Sequence, residues 1–126
     1  AAAPAARVID EPWVQQDLAR AHARLEAVRL LNWRMAAAME SGDPAAGDSS
    51  LVKVFATEQL IEVYRLQLGV VGAAGALPIG TPGAVLAGRL ERAGRQAQIN
   101  TFGGGVNEVQ REMLAARALG VGRRAR

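Results

Sequence analysis

The sequence predicts an all-α chain arranged as an up-and-down four-helix bundle. Three observations carry that expectation. Alanine is the commonest residue and β-branched residues are few, a composition that favours helix over strand. Apolar side chains recur at steps of three and four, with no period-2 alternation. Three clusters of Gly, Pro and Ser then cut the periodic stretches apart. At 126 residues and 13.2 kDa the chain suits one domain, residues 1–126, because a chain of this size has surface for one core and not for two.

The first helix is expected over 9–41. Asp10 can cap it, with Glu11 and Pro12 in the opening turn, where acidic charge and a missing N–H are tolerated. Val14, Leu18, Ala21, Leu25, Val28, Leu31, Met35 and Met39 then form one stripe along a rod of about 45 Å. Such a rod has to lie against partners. Turn residues from Ser41 to Ser50 follow, and Ser49 or Ser50 can cap a second helix over 50–73. Its buried face is marked by Leu51, Val54, Phe55, Ile61, Tyr64, Leu68 and Val71, and Gly72-Ala73-Ala74-Gly75 ends it. Thr81 and Pro82 can open a third helix over 82–99, with Val85, Leu86, Leu90, Ala93 and Ala97 inward. Gly83, Gly88 and Gly94 weaken that helix by about 1 kcal/mol each relative to alanine. The chain breaks again at Thr101–Gly105, and a last helix over 106–119 carries Val109, Met113, Ala116 and Leu119 to a glycine stop at Gly120. Short connections make antiparallel neighbours the expected arrangement.

Composition removes several function classes. There is no cysteine and a single histidine, His22, so disulfide scaffolds, zinc ribbons, iron–sulfur sites and cysteine nucleophiles have no residues to work with. No apolar run approaches the roughly 20 residues a membrane-spanning helix requires. The net charge of +3 is carried almost wholly by arginine, Lys53 being the lone lysine. The arginines are interleaved with acids, which argues against a nucleic-acid stripe. Only Arg123, Arg124 and Arg126 cluster, and a solvated tail accounts for them. The N-terminal AAAPAAR lacks a signal-peptide pattern, so a cytoplasmic location is the default expectation.

Local chemistry is sparse. Gly103, Gly104 and Gly105 stand directly before a helix, where permissive dihedrals and the N–H groups from about Asn107 onward can receive an anion. Close packing of the loop under another helix is the alternative, and both readings stay open on local grounds. His22 reads as a surface residue. Trp13 and Trp33 read as core or interface anchors, Glu108 and Arg111 as a pair three apart on one helix, and Lys53 and Glu58 as solvated charges.

The string TFGGGVNEVQREMLAARALG, Thr101 to Gly120, resembles the closing motif of the acyl-CoA dehydrogenase family, commonly Y-G-G-T-N-E-I-Q-R followed by an apolar helix and an Ala-Arg-X-Leu-Gly stop. LARAHARLEAVRLLNWRMA resembles the family's long helix with its L-E-A-X-R-X-L core. LVKVFATEQLIEVYRLQLGVVGAAG is similar to the helix after it. The likeness runs from Ile9 to Arg123 and implies the C-terminal helical domain of a longer enzyme, with an N-terminal helical domain and a middle β-domain absent here. It further implies that the first helix of the family bundle falls largely before Ala1.

The resemblance also implies a chemistry. Family members use FAD to oxidise an acyl-CoA thioester to the 2,3-enoyl-CoA. A carboxylate removes the α-proton while hydride passes from the β-carbon to flavin N5. In many members the base precedes the motif glycine, and Gly104 holds that position here, so the chain offers no catalytic residue. Gly105 matches the motif glycine, Val106 replaces a flavin-bonding threonine, and Glu108 falls where some members contact FAD. The family's Gln-X-X-Gly-Gly-X-Gly, which approaches the FAD of a neighbouring subunit, corresponds to Gly69, Gly72, Ala73 and Gly75 with the glutamine lost; Gln67 sits two places too early to replace it. The implied cofactor contacts are thus Gly72, Gly75, Gly105, Val106 and Glu108. The implied partners are an acyl-CoA substrate and further subunits in a homo- or hetero-oligomer, with no nucleic acid and no membrane span. The chain by itself is expected to be inactive. The rivals are a stand-alone interaction bundle and a non-catalytic subunit of a mixed assembly.

Overall fold

A computed structural model describes residues 7–121, and among these it contains four α-helices and no strand. Helix α1 spans Pro12–Glu40, α2 Asp48–Val71, α3 Arg89–Ile99 and α4 Asn107–Ala118, with short 3₁₀ turns at Val8–Asp10, Gly72–Ala76 and Val85–Gly88. The arginines at 123, 124 and 126 lie outside the described residues.

Helix α2 is the spine against which the other three pack. Arg34 of α1 donates to Asp48 at the start of α2 at 3.2 Å, and Arg24 donates to Gln59, so α1 and α2 run antiparallel. Ala21, Val63 and Leu66 form the buried cluster between them. On the opposite side, Gly94 of α3 lies 3.1 Å from Leu68 and 3.4 Å from Tyr64, measured from the position a Cβ would take. Ser50 donates to Gln110 of α4 at 2.7 Å, and Gly47, just before α2, faces Leu114 and Ala118. Descending α2 from its C-terminus therefore meets first α3 and then α4 in one antiparallel register. Helices α3 and α4 are two halves of a single return pass, running head to tail where simple alternation predicts antiparallel neighbours.

Several boundaries differ from the sequence expectation, each for a physical reason. Asp10 does not cap α1. Its carboxylate accepts from Arg7 Nη2 at 3.0 Å, and Glu11 takes the cap position without a side-chain bond. Neither Ser49 nor Ser50 caps α2: Gly47, at φ +94°, is the N-cap, and Ser50 is buried against α4. Thr81 and Pro82 open only turns, and α3 begins at Arg89. Leu86, Ala87 and Gly88 take left-handed dihedrals in succession, and Gly88 presses on the Pro78–Ile79 backbone with no room for a Cβ. That tertiary contact overrides the helix start written at Pro82.

The apolar faces also shift. Trp13 and Trp33 are not core: they stand 48% and 64% exposed, and Arg29 lies 4.9 Å from the Trp33 ring. On α4, Gln110 and Leu114 turn toward α2, whereas Val109 and Leu119 face outward. The buried apolar side chains are few, Val14, Ala21, Val54, Val63, Leu66 and Ala97, although half the composition is apolar. Much hydrophobic surface consequently points away from the chain's own core, the pattern of a surface made to be covered.

Candidate functional site

The return pass breaks at Thr101–Val106, between α3 and α4. Glycine is required there by geometry. Gly104 and Gly105 have φ of +70° and +102°, a region that L-residues enter at a cost of about 1–2 kcal/mol. Helix α4 then starts with Val106 at the N-cap, whose carbonyl accepts from the Gln110 amide at 3.0 Å. The Gln110 side chain reaches back to the Gly104 carbonyl at 3.1 Å, and a Cβ on Gly105 would meet its Nε2 at 2.5 Å. Cβ positions on Gly103 and Gly104 meet no atom within 4 Å, so the first part of the loop opens outward. Phe102 and Ile99 flank it, 67% and 64% exposed.

Beneath the loop lies a network that joins α2 to α4. Asn107 is 3% exposed. Its Oδ1 accepts from Lys53 Nζ at 2.5 Å, while its Nδ2 donates to Thr57 Oγ1 at 3.1 Å and to Glu58 Oε1 at 3.2 Å. Lys53 also donates to the Thr101 carbonyl at 3.0 Å, and the Thr57 hydroxyl is tied to the Lys53 carbonyl at 2.9 Å. Arg111 completes the network with a 2.6 Å bond to Glu58. The Asn107 amide thus lies between a cation and an anion, oxygen toward Lys53 and nitrogen toward Glu58. The reverse orientation would set its NH₂ against the ammonium. The Asn107 backbone N–H is spent on the Thr101 carbonyl at 3.0 Å, so this amide, expected as an anion donor, serves the loop.

The other glycine segment behaves differently. Gly72 ends α2 at φ +62°, ψ −148°, a conformation open to glycine, and a Cβ there would meet nothing within 4 Å. Gly75 is buried, its Cβ position occupied by Val71 and its neighbourhood by Leu68. Gly72 borders a groove between α2 and α3 with Tyr64, Leu68 and Gly94 along its floor and Arg65 and Glu91 at its rim.

The structure therefore brings Gly105, Val106 and Glu108 together at the start of α4 and sets Gly72 and Gly75 apart from them. Lys53, which braces the loop, and Gly72 are separated by most of α2, about 28 Å along the helix axis. Glu108 is exposed in the first turn of α4, where acidic charge suits the helix dipole. Arg111 pairs with Glu58 across the helices instead of with Glu108, and Lys53 and Glu58 are network members, not solvated charges. Sequence reading missed that network. Its one signal was the lone lysine four places before Thr57, a spacing that puts both on one face of α2.

The described residues define an all-helical domain whose return pass is interrupted by a glycine loop braced by polar bonds. The family model described as "Acyl-CoA dehydrogenase, C-terminal domain" matches residues 2–119, and the chain belongs to the acyl-CoA dehydrogenase family as its C-terminal helical domain. It is 47% identical over 120 residues to the acyl-CoA dehydrogenase FadE26 of Mycobacterium tuberculosis, covering 93% of this chain and 30% of that protein. Two solved structures superpose closely. One is the Tcur3481–Tcur3483 steroid ACAD, with TM-score 0.86 and 50% identity over 92% of this chain and 30% of that one. The other is the ChsE4–ChsE5 complex from Mycobacterium tuberculosis, with TM-score 0.86 and 47% identity over 97% and 32%. The chain spans about 30% of the length of the curated relatives it matches. Among the described residues no helix is long and apolar enough to cross a membrane.

Proposed function

We propose that this domain supplies a cofactor wall and a subunit interface to an FAD-dependent acyl-CoA dehydrogenase, and that it does not turn over substrate alone. The observation that carries the reading is the pair of outward-opening glycine segments at opposite ends of the α2 spine. Gly72 at one end and Gly103 and Gly104 at the other leave open space where a side chain would stand, which admits close approach of a ligand to the backbone. Lys53, which braces the loop, and Gly72 stand about 28 Å apart along α2, a separation that suits contact with two cofactor molecules or with widely separated parts of one assembly. This agrees with the family pattern in which the α2 end approaches a neighbouring subunit's FAD.

The residues fit such a group. The glycines admit a flat ring or a pyrophosphate close to the backbone, Phe102 and Ile99 offer exposed apolar cover, and Glu108 is free to accept a hydrogen bond. Val106 contributes its backbone and its shape, since it has no hydroxyl. FAD, when bound, supplies hydride acceptance. Proton abstraction requires a carboxylate, and Gly104 stands at the position where many members carry it, so the base comes from outside residues 7–121. The assembly reading gains support from the exposed apolar residues of α1, Leu30 and Trp33 among them, and from two solved relatives that are two-component assemblies, one a steroid ACAD. A steroid-derived acyl thioester is accordingly the substrate class to test first.

The test is flavin absorbance of the full-length protein that carries this domain, purified alone and with its candidate second subunit. Yellow protein that dehydrogenates an acyl thioester supports the reading. Protein that stays colourless under both conditions overturns it. The loss of both the base and the threonine hydroxyl favours one variant, a non-catalytic subunit of a mixed assembly. In that case flavin appears only with the second subunit, and the catalytic carboxylate maps to that subunit.

A further inference from the structure

The loop before α4 would be free to rearrange if glycine alone specified it, since Gly103, Gly104 and Gly105 permit many backbone conformations. One side chain from another helix reaches both of its ends. Lys53, in the second turn of α2, is bonded simultaneously to the Thr101 carbonyl at the entrance of the loop and to the Asn107 side chain at its exit. Both ends are thereby fixed to one ammonium. Asn107 is in turn held by Thr57 and Glu58, so the tether is anchored on a face of α2 that cannot rotate without breaking the ladder of contacts to α1. The remaining bonds are local: the Asn107 N–H to the Thr101 carbonyl, the Phe102 and Gly103 N–H groups to the Ile99 carbonyl, and the exposed Gln110 side chain to the Gly104 carbonyl.

We infer that Lys53 is a positioning residue, whose ammonium clamps Thr101 and Asn107 and so holds the Gly103–Val106 loop in the conformation that seats the flavin. This rests on the proposed function above. Two neutral oxygens compete well for an ammonium because charge-assisted bonds are about twice as strong as neutral ones, and an amide oxygen and a backbone carbonyl impose direction where a carboxylate would not. Methionine at this position would keep the bulk of the stem and remove both bonds. Residue 53 touches no part of the open face of the loop, so its effect on a bound flavin passes through the loop's geometry.

The experiment uses the full-length protein in its flavin-binding assembly, with Lys53→Met and, as a milder variant, Lys53→Gln. Arg20→Met, an exposed arginine paired only with Asp17 on α1, is the control. FAD is the probe, titrated into deflavinated protein, and backbone hydrogen exchange is followed over 100–107 and over 60–70. The expected result is FAD affinity at least about tenfold weaker and exchange over 100–107 at least about tenfold faster, the floor set by losing even one of the two charge-assisted bonds. Exchange over 60–70 and the Arg20→Met protein stay at wild-type values. Wild-type FAD affinity in both Lys53 variants, unchanged loop exchange, or equal acceleration over 60–70 would each overturn the inference while leaving the proposed function standing. Failure of both variants to fold assigns Lys53 to the fold and overturns it too. A wild-type protein that takes up no FAD removes the proposed function and this inference together.

Discussion

The two glycine segments of this domain look alike in sequence and are built on different physics. At the end of α2, Gly75 is glycine because Val71 and Leu68 fill the space around it; apolar packing determines the conformation, and charge stays at the rim. Before α4, Gly103 and Gly104 stand in open space while Gly105 lies under the Gln110 side chain, and a buried polar network with Lys53 and Asn107 at its centre supplies the order. The comparison teaches that glycine marks a permitted conformation and says nothing about what selects it. Steric exclusion selects it in one segment, hydrogen bonding in the other.

Removing the selecting force should therefore hurt each segment by a different mechanism. The largest effect is expected for Asn107→Leu, which leaves Lys53, Thr57 and Glu58 without their common partner. The Lys53 ammonium loses an acceptor and the Thr57 and Glu58 oxygens lose a donor; such unmet buried polar groups cost about 1–3 kcal/mol each, and networks lose more than single bonds, so we expect a loss of about 3 kcal/mol in urea unfolding. A change as small as that of a surface leucine would show that the loop is not braced by polar bonds. Gly75→Ala comes next. Its new methyl collides with Val71, and overpacking of this kind costs about 1–3 kcal/mol. A melting temperature equal to wild type would mean that the α2 end yields freely and is not selected by packing.

Gly104→Ala sharpens the comparison at lower cost. No atom lies within 4 Å of the added carbon, so the penalty is conformational only, about 1 kcal/mol for an alanine at positive φ. If the open space belongs to a flavin, the same methyl should weaken FAD binding more than it weakens the fold. Calorimetric titration beside thermal melting separates the two, and equal small losses would leave the loop with no ligand to exclude.

The all-helical class and the places where the chain breaks were legible because amphipathic period and glycine clusters are local properties. The start of α3 was not legible: Pro82 carries a proper helix-opening signal, but Gly88 packs against Pro78 and Ile79, and no window of sequence contains that contact. The same holds for the site. Gly105, Val106 and Glu108 could be aligned with a motif, whereas the roles of Lys53, Glu58 and Arg111 depend on partners about 50 places away along the chain, which periodicity does not reach.

The smallest predicted effect tests the charge at the rim. Glu62 and Arg65, on the half of α2 that leads to Gly72, form an exposed i,i+3 pair at 2.9 Å. The Arg65 guanidinium holds the Glu62 carboxyl below its ordinary value. A carboxylate whose pKa is lower in the folded chain contributes stability above its unfolded pKa and loses that contribution as the pH falls through its folded pKa. Its stabilisation is therefore complete at neutral pH and fades in the acid range below the usual glutamate value. Exposed pairs of this kind are screened by salt and add little. Glu62→Gln should shift the neutral-pH urea midpoint less than any substitution above, with the difference disappearing in acid and in high salt. A shift as large as that of Asn107→Leu would mean that charge, and not packing, secures the α2 end, and the contrast between the two segments would collapse.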